Sequence, residues 1–132
     1  MKLDTKQKVL IAIYTEYQKD IPDMRDAITY SKLGIDSQRF VVALEKLENE
    51  ELIRGIDIAR SRGRAIDVFT DNIMMTSIGI EYVENKLGIE KTLSGLEKIK
   101  YMYGKYANWG WEQGKEIISS TLAKIIQDQT GA

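Results

Sequence analysis

Residues 36–70 read DSQRFVVALEKLENEELIRGIDIARSRGRAIDVFT, and the hydrophobic period changes partway along. Over 36–49 apolar residues recur at helical spacing. Phe40, Val41, Leu44 and Leu47 make an inward stripe, Ala43 lies at its edge, and Asp36 or Ser37 caps the start. Over 52–60 and 64–70 the pattern alternates, as strands do, with Ser61, Arg62 and Gly63 as a three-residue loop in which Gly63 supplies a positive φ. Pairing the strands about Arg62 sets Ile56 opposite Val68, Ile58 opposite Ile66 and Arg60 opposite Arg64, so four β-branched side chains share one face. The other face then sets Asp57 opposite Asp67. Two carboxylates are too few for a dedicated calcium or magnesium cage, and no metal or other cofactor is assigned. The sum is a helix running into a two-stranded ribbon with an arginine-rich tip, a pairing suited to holding a nucleic-acid duplex.

Upstream, residues 4–19 read as a helix capped by Asp4 or Thr5. Val9, Leu10, Ile13 and Tyr17 form one apolar face, with the lysines and Glu16 largely on the other. Pro22 pushes its predecessor out of the helical region and ends this element. A second helix is expected over 23–32 with Met24, Ala27 and Ile28 inward. It stops at Gly34, which suits a left-handed position, and Ile35 packs across the turn. Two short helices joined by a glycine-containing turn form a helix-turn-helix pattern.

Downstream, an extended stretch over 72–75 leads to Thr76, the cap of a fourth helix whose Ile78, Tyr82 and Val83 cover the core; Gly88 ends it. Residues 89–132 read as two further helices with a break near Asn108, because YGKYANWGWEQG places three glycines in twelve residues. The segment 109–126 admits packing on its own domain, a helical interface with a second copy, or an amphipathic helix on a membrane. Its polar face sets Lys115 and Lys124 against Glu112 and Glu116, which disfavours anionic lipid and leaves intrachain packing or a homodimer. Tyr101, Tyr103, Tyr106, Trp109 and Trp111 are assigned to core and interface packing rather than base stacking, since they fall at mixed spacings. The expected organisation is a domain over 1–88 followed by a C-terminal helical extension over 89–132, in the α+β class with helix predominating.

Composition removes whole classes of chemistry. The 132 residues contain no cysteine and no histidine, so thiolate metal sites, catalytic thiols, disulfides and histidine general bases are excluded. No glycine-rich phosphate loop or paired-carboxylate motif organises the remaining groups, and the chain reads as a binding protein, not an enzyme. No apolar run is long enough to span a bilayer, and MKLDTKQKV lacks the apolar stretch of a signal peptide, so the expected location is the cytoplasm.

A net charge of −1 offers no bulk attraction to a polyanion, so duplex binding has to come from local asymmetry. Residues 36–51 hold two basic and five acidic residues, whereas 52–66 hold Arg54, Arg60, Arg62 and Arg64 against Asp57 alone. The candidate contacts follow from residue type. Gln38 and Arg39, in the first turn of the third helix, can pair with adenine and guanine edges. Ser37 and Lys46 suit phosphate, and Arg60, Arg62 and Arg64 suit phosphate or a narrow minor groove. The helix residues fit an ordinary solvated face equally well, and Glu45, Glu48, Glu50 and Glu51 weigh against deep insertion.

The order of elements resembles the winged helix-turn-helix fold. More narrowly, the F-x-x-A-L-x-x-L helix ending in E-L-I, followed by a wing and by T-x-x-G-x-x-Y, is similar to the YjcQ-like small proteins of Gram-positive bacteria and their prophages, over roughly residues 4–88. That resemblance implies a small DNA-binding protein of transcriptional or phage regulation. The alternative is a module of the same fold that binds a host or phage protein and no DNA.

Overall fold

The computed structural model describes residues 2–131. The first helix, α1 (Thr5–Tyr17), is the axle of the molecule. Asp4 starts it with a capping box: its carboxylate accepts the Gln7 N–H at 2.8 Å while the Gln7 side chain accepts the Asp4 N–H at 3.0 Å. Every residue from Val9 to Glu16 is buried, so α1 is enclosed rather than faced with one apolar stripe. Glu16, expected in solvent, is 3% exposed. Its carboxylate pairs with Lys19 at 3.0 Å and accepts the Asp23 N–H at 2.8 Å, which satisfies the charge while fixing the chain's exit from the helix.

The expected second helix over 23–32 is instead two single turns, α2 (Met24–Ala27) and α3 (Tyr30–Leu33). Ile28 leaves the helical region at φ −103°, ψ 84°, and Thr29 is extended. The Thr29 hydroxyl then accepts the Lys32 N–H at 3.2 Å, so the threonine caps a new helix instead of continuing the old one. The break leaves Ile28 in the core at 2% exposure. Gly34 at φ +69° closes α3, and the Ile35 N–H bonds back to the Tyr30 carbonyl at 3.0 Å, as its position after a helix end predicts.

Asp36, of the two candidate caps, starts α4 (Ser37–Asn49) by accepting the Arg39 N–H at 2.9 Å. Phe40, Leu44 and Leu47 point into the core as expected, but Ala43 is the fourth buried member and Val41 sits at the edge. α4 packs across α1.

The strand pattern over 52–60 breaks at Gly55, which holds φ +88° and whose absent Cβ would lie 2.0 Å from the Asn72 carbonyl oxygen. The residues before it form β1 (Ile53–Arg54), and those after it form β2 (Asp57–Ser61), paired with β3 (Arg64–Phe69). β1 pairs with β4 (Met74–Met75) through Ile53 opposite Met75 and Arg54 opposite Met74.

The β2–β3 register differs from the expected one. Ile58 faces Val68, Ala59 faces Asp67 and Ser61 faces Arg64, so Asp57 lies opposite Phe69 rather than Asp67. The turn contains two residues, not three: Arg62 at φ +53° and Gly63 at φ +79°, both positive, the conformation whose twist matches a hairpin. A bulge between the pairs Ala59–Asp67 and Arg60–Ala65 absorbs the shift and leaves Ile66 66% exposed, outside the shared apolar face expected for it.

Thr76 caps α5 (Ser77–Leu87), its hydroxyl oxygen accepting the Gly79 N–H at 2.9 Å, and Gly88 ends the helix at φ +71°, both as expected. The inward residues differ. Val83 and Glu84 are buried, whereas Ile78 and Tyr82 are 53% and 38% exposed. Glu84 is held by the Tyr14 hydroxyl at 2.7 Å and the Lys98 ammonium at 2.6 Å, which ties together α1, α5 and the next helix, α6 (Gly95–Tyr103). Burial, then the Glu84 carboxylate, pushes the Tyr14 phenol well above its ordinary range, so it remains a donor.

The expected break near Asn108 is a single 3-10 turn, Tyr106–Asn108, before α7 (Glu112–Thr130). α7 packs on α6, α1 and α3, so the tail returns to its own chain. Trp109 and Trp111 join the core rather than a stacking surface, and the Trp111 indole N–H bonds to the Leu33 carbonyl at 3.1 Å. Gly114 gives that ring its space, since a Cβ there would lie 2.6 Å from it. Trp111→Phe is therefore expected to lower unfolding free energy by about 1–3 kcal/mol in a urea titration, by stranding a buried carbonyl. No described helix is long and apolar enough to cross a membrane.

Candidate nucleic-acid interface

The acidic residues of α4 are directed away from its outward face by specific partners. Glu45 forms an ion pair with Arg60 of β2, and a Glu48 carboxylate oxygen accepts the Ile56 N–H at 3.2 Å, so both point towards the ribbon. Glu50, just past the helix, is gripped by the Lys6 ammonium through both carboxylate oxygens at 2.7 and 2.8 Å. That hydrogen bond raises the Lys6 pKa above its ordinary value. Glu51 takes a positive φ of 64°, and its carbonyl accepts the Thr76 hydroxyl at 2.6 Å, closing the corner between α4 and β1.

What α4 leaves outward is Gln38, Arg39, Val42, Lys46 and Asn49, all exposed and spaced three, four or seven apart, so they share one side of the helix. Its cations are Arg39 and Lys46; Glu45, which falls on the same side by spacing, is turned to Arg60. The side chains of Gln38 and Lys46 have no hydrogen-bond or ion-pair partner among the described residues. Arg39 is paired only at the surface, its Nε lying 3.5 Å from Asp36. Such an exposed pair contributes little, so the guanidinium can leave it at small cost. Ser37 is exposed in the first turn and borders, with Gln38, the groove between α4 and the ribbon.

The three wing arginines divide into two kinds. Arg60 is paired with Glu45 across the groove between the ribbon and α4, at the surface. Arg62 and Arg64, at the ribbon tip, are exposed and have no acidic partner among the described residues. Arg62 lies in the turn itself, which aims it off the tip. The structure brings Ser37, Gln38, Arg60 and Arg64 to one groove and Lys46 to the depression beyond Arg60, whereas Arg39 and Arg62 line neither. The pairing of Glu45 with Arg60 is what sequence reasoning missed. The two lie fifteen residues apart, and no local pattern signals the pair.

The groove between the two elements is lined by polar and apolar side chains alike. Tyr30, Val41 and Val42 line one side and Ala65, Ile66 and Val68 the other. The Arg60–Glu45 pair crosses it, and a second depression opens beyond, bordered by Lys46, Asn49, Ile56 and Ile58. Among the described residues no group of acidic side chains is placed to hold a metal ion. The side chains around the two depressions are thus a mixture of cations, a carboxamide and apolar groups.

The chain was also compared with known proteins. The family model described as YjcQ protein matches residues 7–102, from inside α1 to the last turn of α6, and so includes the whole α4–ribbon face. No curated protein and no solved structure matches the chain.

Proposed function

The chain belongs to the YjcQ family, and from that premise we propose that it is a winged-helix protein that binds duplex DNA in the cytoplasm, as a small transcriptional or phage regulator. α4 enters the major groove by its first turns, and the ribbon tip lies on the backbone or in the adjoining minor groove. The observation that carries this reading is the sorting of charge around α4. Its acids are bound to Arg60, Ile56 and Lys6, while the outward stripe keeps Arg39 and Lys46. A chain with net charge −1 thereby presents a locally cationic face.

The test is a titration of the intact chain with mixed-sequence duplex over a series of salt concentrations. With Arg39, Lys46, Arg62 and Arg64 each on a phosphate, log K falls against log salt with a slope of about −3.6, from roughly 0.9 per contact. A flat salt dependence, or no binding at near-physiological salt, overturns the proposal. Glu45→Gln is expected to steepen the slope by about 0.9 by freeing Arg60 for a further phosphate, measured in the same titration.

A second reading is favoured by one observation, the exposed apolar side chains along the groove. Tyr30 and Ile66 are 51% and 66% exposed there, which suits an amphipathic segment of a protein partner. A partner protein that binds with unchanged affinity after loss of Arg62 and Arg64, together with absent duplex binding, would favour this reading.

A further inference from the structure

We infer that α4 reads an A·T step, with Gln38 on the edge of an adenine and Val42 against the methyl group of a thymine. The inference rests on the duplex-binding reading and adds a base preference to it. Val42 is 41% exposed and is the large exposed apolar side chain of α4. A single exposed valine is ordinary on a protein surface. This one stands in the middle of the outward stripe, with Gln38 one turn before it and Lys46 one turn after it, and with Arg39 alongside. Any polyanion drawn to those cations is drawn over Val42.

The chemistry of the groove edges makes the assignment specific. Adenine presents an acceptor beside a donor, N7 and N6, and a carboxamide such as Gln38 offers the matching donor and acceptor together. Guanine presents two acceptors, which leaves the amide oxygen of a glutamine facing another oxygen. Thymine adds a methyl group that cytosine lacks, and an aliphatic side chain is the group that gains by covering it. The Gln38 amide makes no hydrogen bond within the described chain, so neither end has to be released first. Arg39, the side chain suited to guanine, is turned towards Asp36.

Spacing agrees with this assignment. Side chains four residues apart on a helix have Cβ atoms about 5–6 Å apart. Bases along one strand step by about 3.4 Å. Gln38 and Val42 therefore address bases one or two steps apart, which defines a short A·T element under the first turns of α4. Position 45, the next on this side, is occupied by the Arg60 pair, so the readout ends there.

The experiment begins with selection of duplexes bound by the intact chain from a random pool near physiological salt. The enriched duplex is then made in two forms, with thymidine or with deoxyuridine, which differ only in the methyl group. Wild type is expected to bind the deoxyuridine form about fourfold more weakly, the worth of one buried methyl. Val42→Ala is expected to bind the two forms equally. Gln38→Ala is expected to lose at least about fivefold of the preference for the selected adenine. Val42 and Gln38 are exposed, so both variants keep the fold, which circular dichroism checks. Equal binding of the two forms by wild type overturns the inference, as does an unchanged response in Val42→Ala or enrichment of G·C elements alone. If mixed-sequence duplex is bound with the expected salt slope and selection enriches nothing, the base preference fails while the duplex-binding reading stands. If no duplex is bound, both fail.

Discussion

Replacing Arg62 and Arg64 together by alanine is expected to flatten the salt dependence of duplex binding by about 1.8 in slope and to weaken binding roughly 10- to 60-fold near 0.1 M salt, the worth of two phosphate contacts. Both side chains lie at the ribbon tip, exposed and without an acidic partner, so their removal breaks nothing inside the protein. The unfolding midpoint should stay within the small range typical of surface substitutions. Arg60→Ala should behave differently. It leaves Glu45 without its cation and removes the surface pair across the groove, so a small part of its effect should appear as lost stability. A double variant that binds duplex as wild type does, with the same slope, removes the wing from the interface.

A large effect on stability is expected from Gly79→Ala. In the middle of a helix that exchange ordinarily stabilises by about 1 kcal/mol. Here the added Cβ would lie 2.0 Å from the Leu52 carbonyl oxygen and 2.9 Å from its carbon, because the first turn of α5 rests directly on the backbone between α4 and β1. The same carbonyl accepts the Thr76 N–H at 3.2 Å, and the Thr76 hydroxyl reaches Glu51. Making room for one methyl group therefore means lifting the helix cap off the corner that carries α4. A loss of about 3 kcal/mol or more in urea unfolding is expected, at the upper end of overpacking penalties. Gly104→Ala is the control. Its φ is −73° and its added Cβ would meet nothing closer than 3.4 Å, so it should be close to neutral. Wild-type stability in Gly79→Ala would mean that α5 does not sit against Leu52.

The features legible in the sequence were those decided by a few neighbouring residues. The caps Asp36 and Thr76, the terminators Gly34 and Gly88, and the hairpin position all depend on short-range chemistry. The pattern fails where distant or competing partners decide. Glu16 reads as a solvent-facing residue until α7, about a hundred positions later, closes the far side of α1. The single helix over 23–32 is divided by Thr29, whose hydroxyl competes for a backbone N–H that helical periodicity assigns elsewhere. The ribbon register turned on whether Arg62, a residue with a Cβ, would accept a positive φ, and the three-residue loop assumed that it would not.

The candidate interface shows the same division. The charge pattern singles out Arg62 and Arg64, and the structure leaves both exposed at the ribbon tip. The four acidic residues after Val42 weighed against the helix in the sequence because their directions were unknown. In the folded chain Glu45, Glu48 and Glu50 each have a named partner off the outward stripe. The helix therefore carries less unpaired acid than its composition suggested, and Arg60 is less free to make a new contact.

The most direct measurement is the backbone amide spectrum of the isotopically labelled chain as duplex DNA is added near physiological salt. The account predicts shifts concentrated at Gln38, Arg39, Val42 and Lys46 and at the Arg62–Arg64 tip, with α6 and α7 unchanged. Shifts confined to α5 or α7, or a spectrum indifferent to duplex, would contradict it.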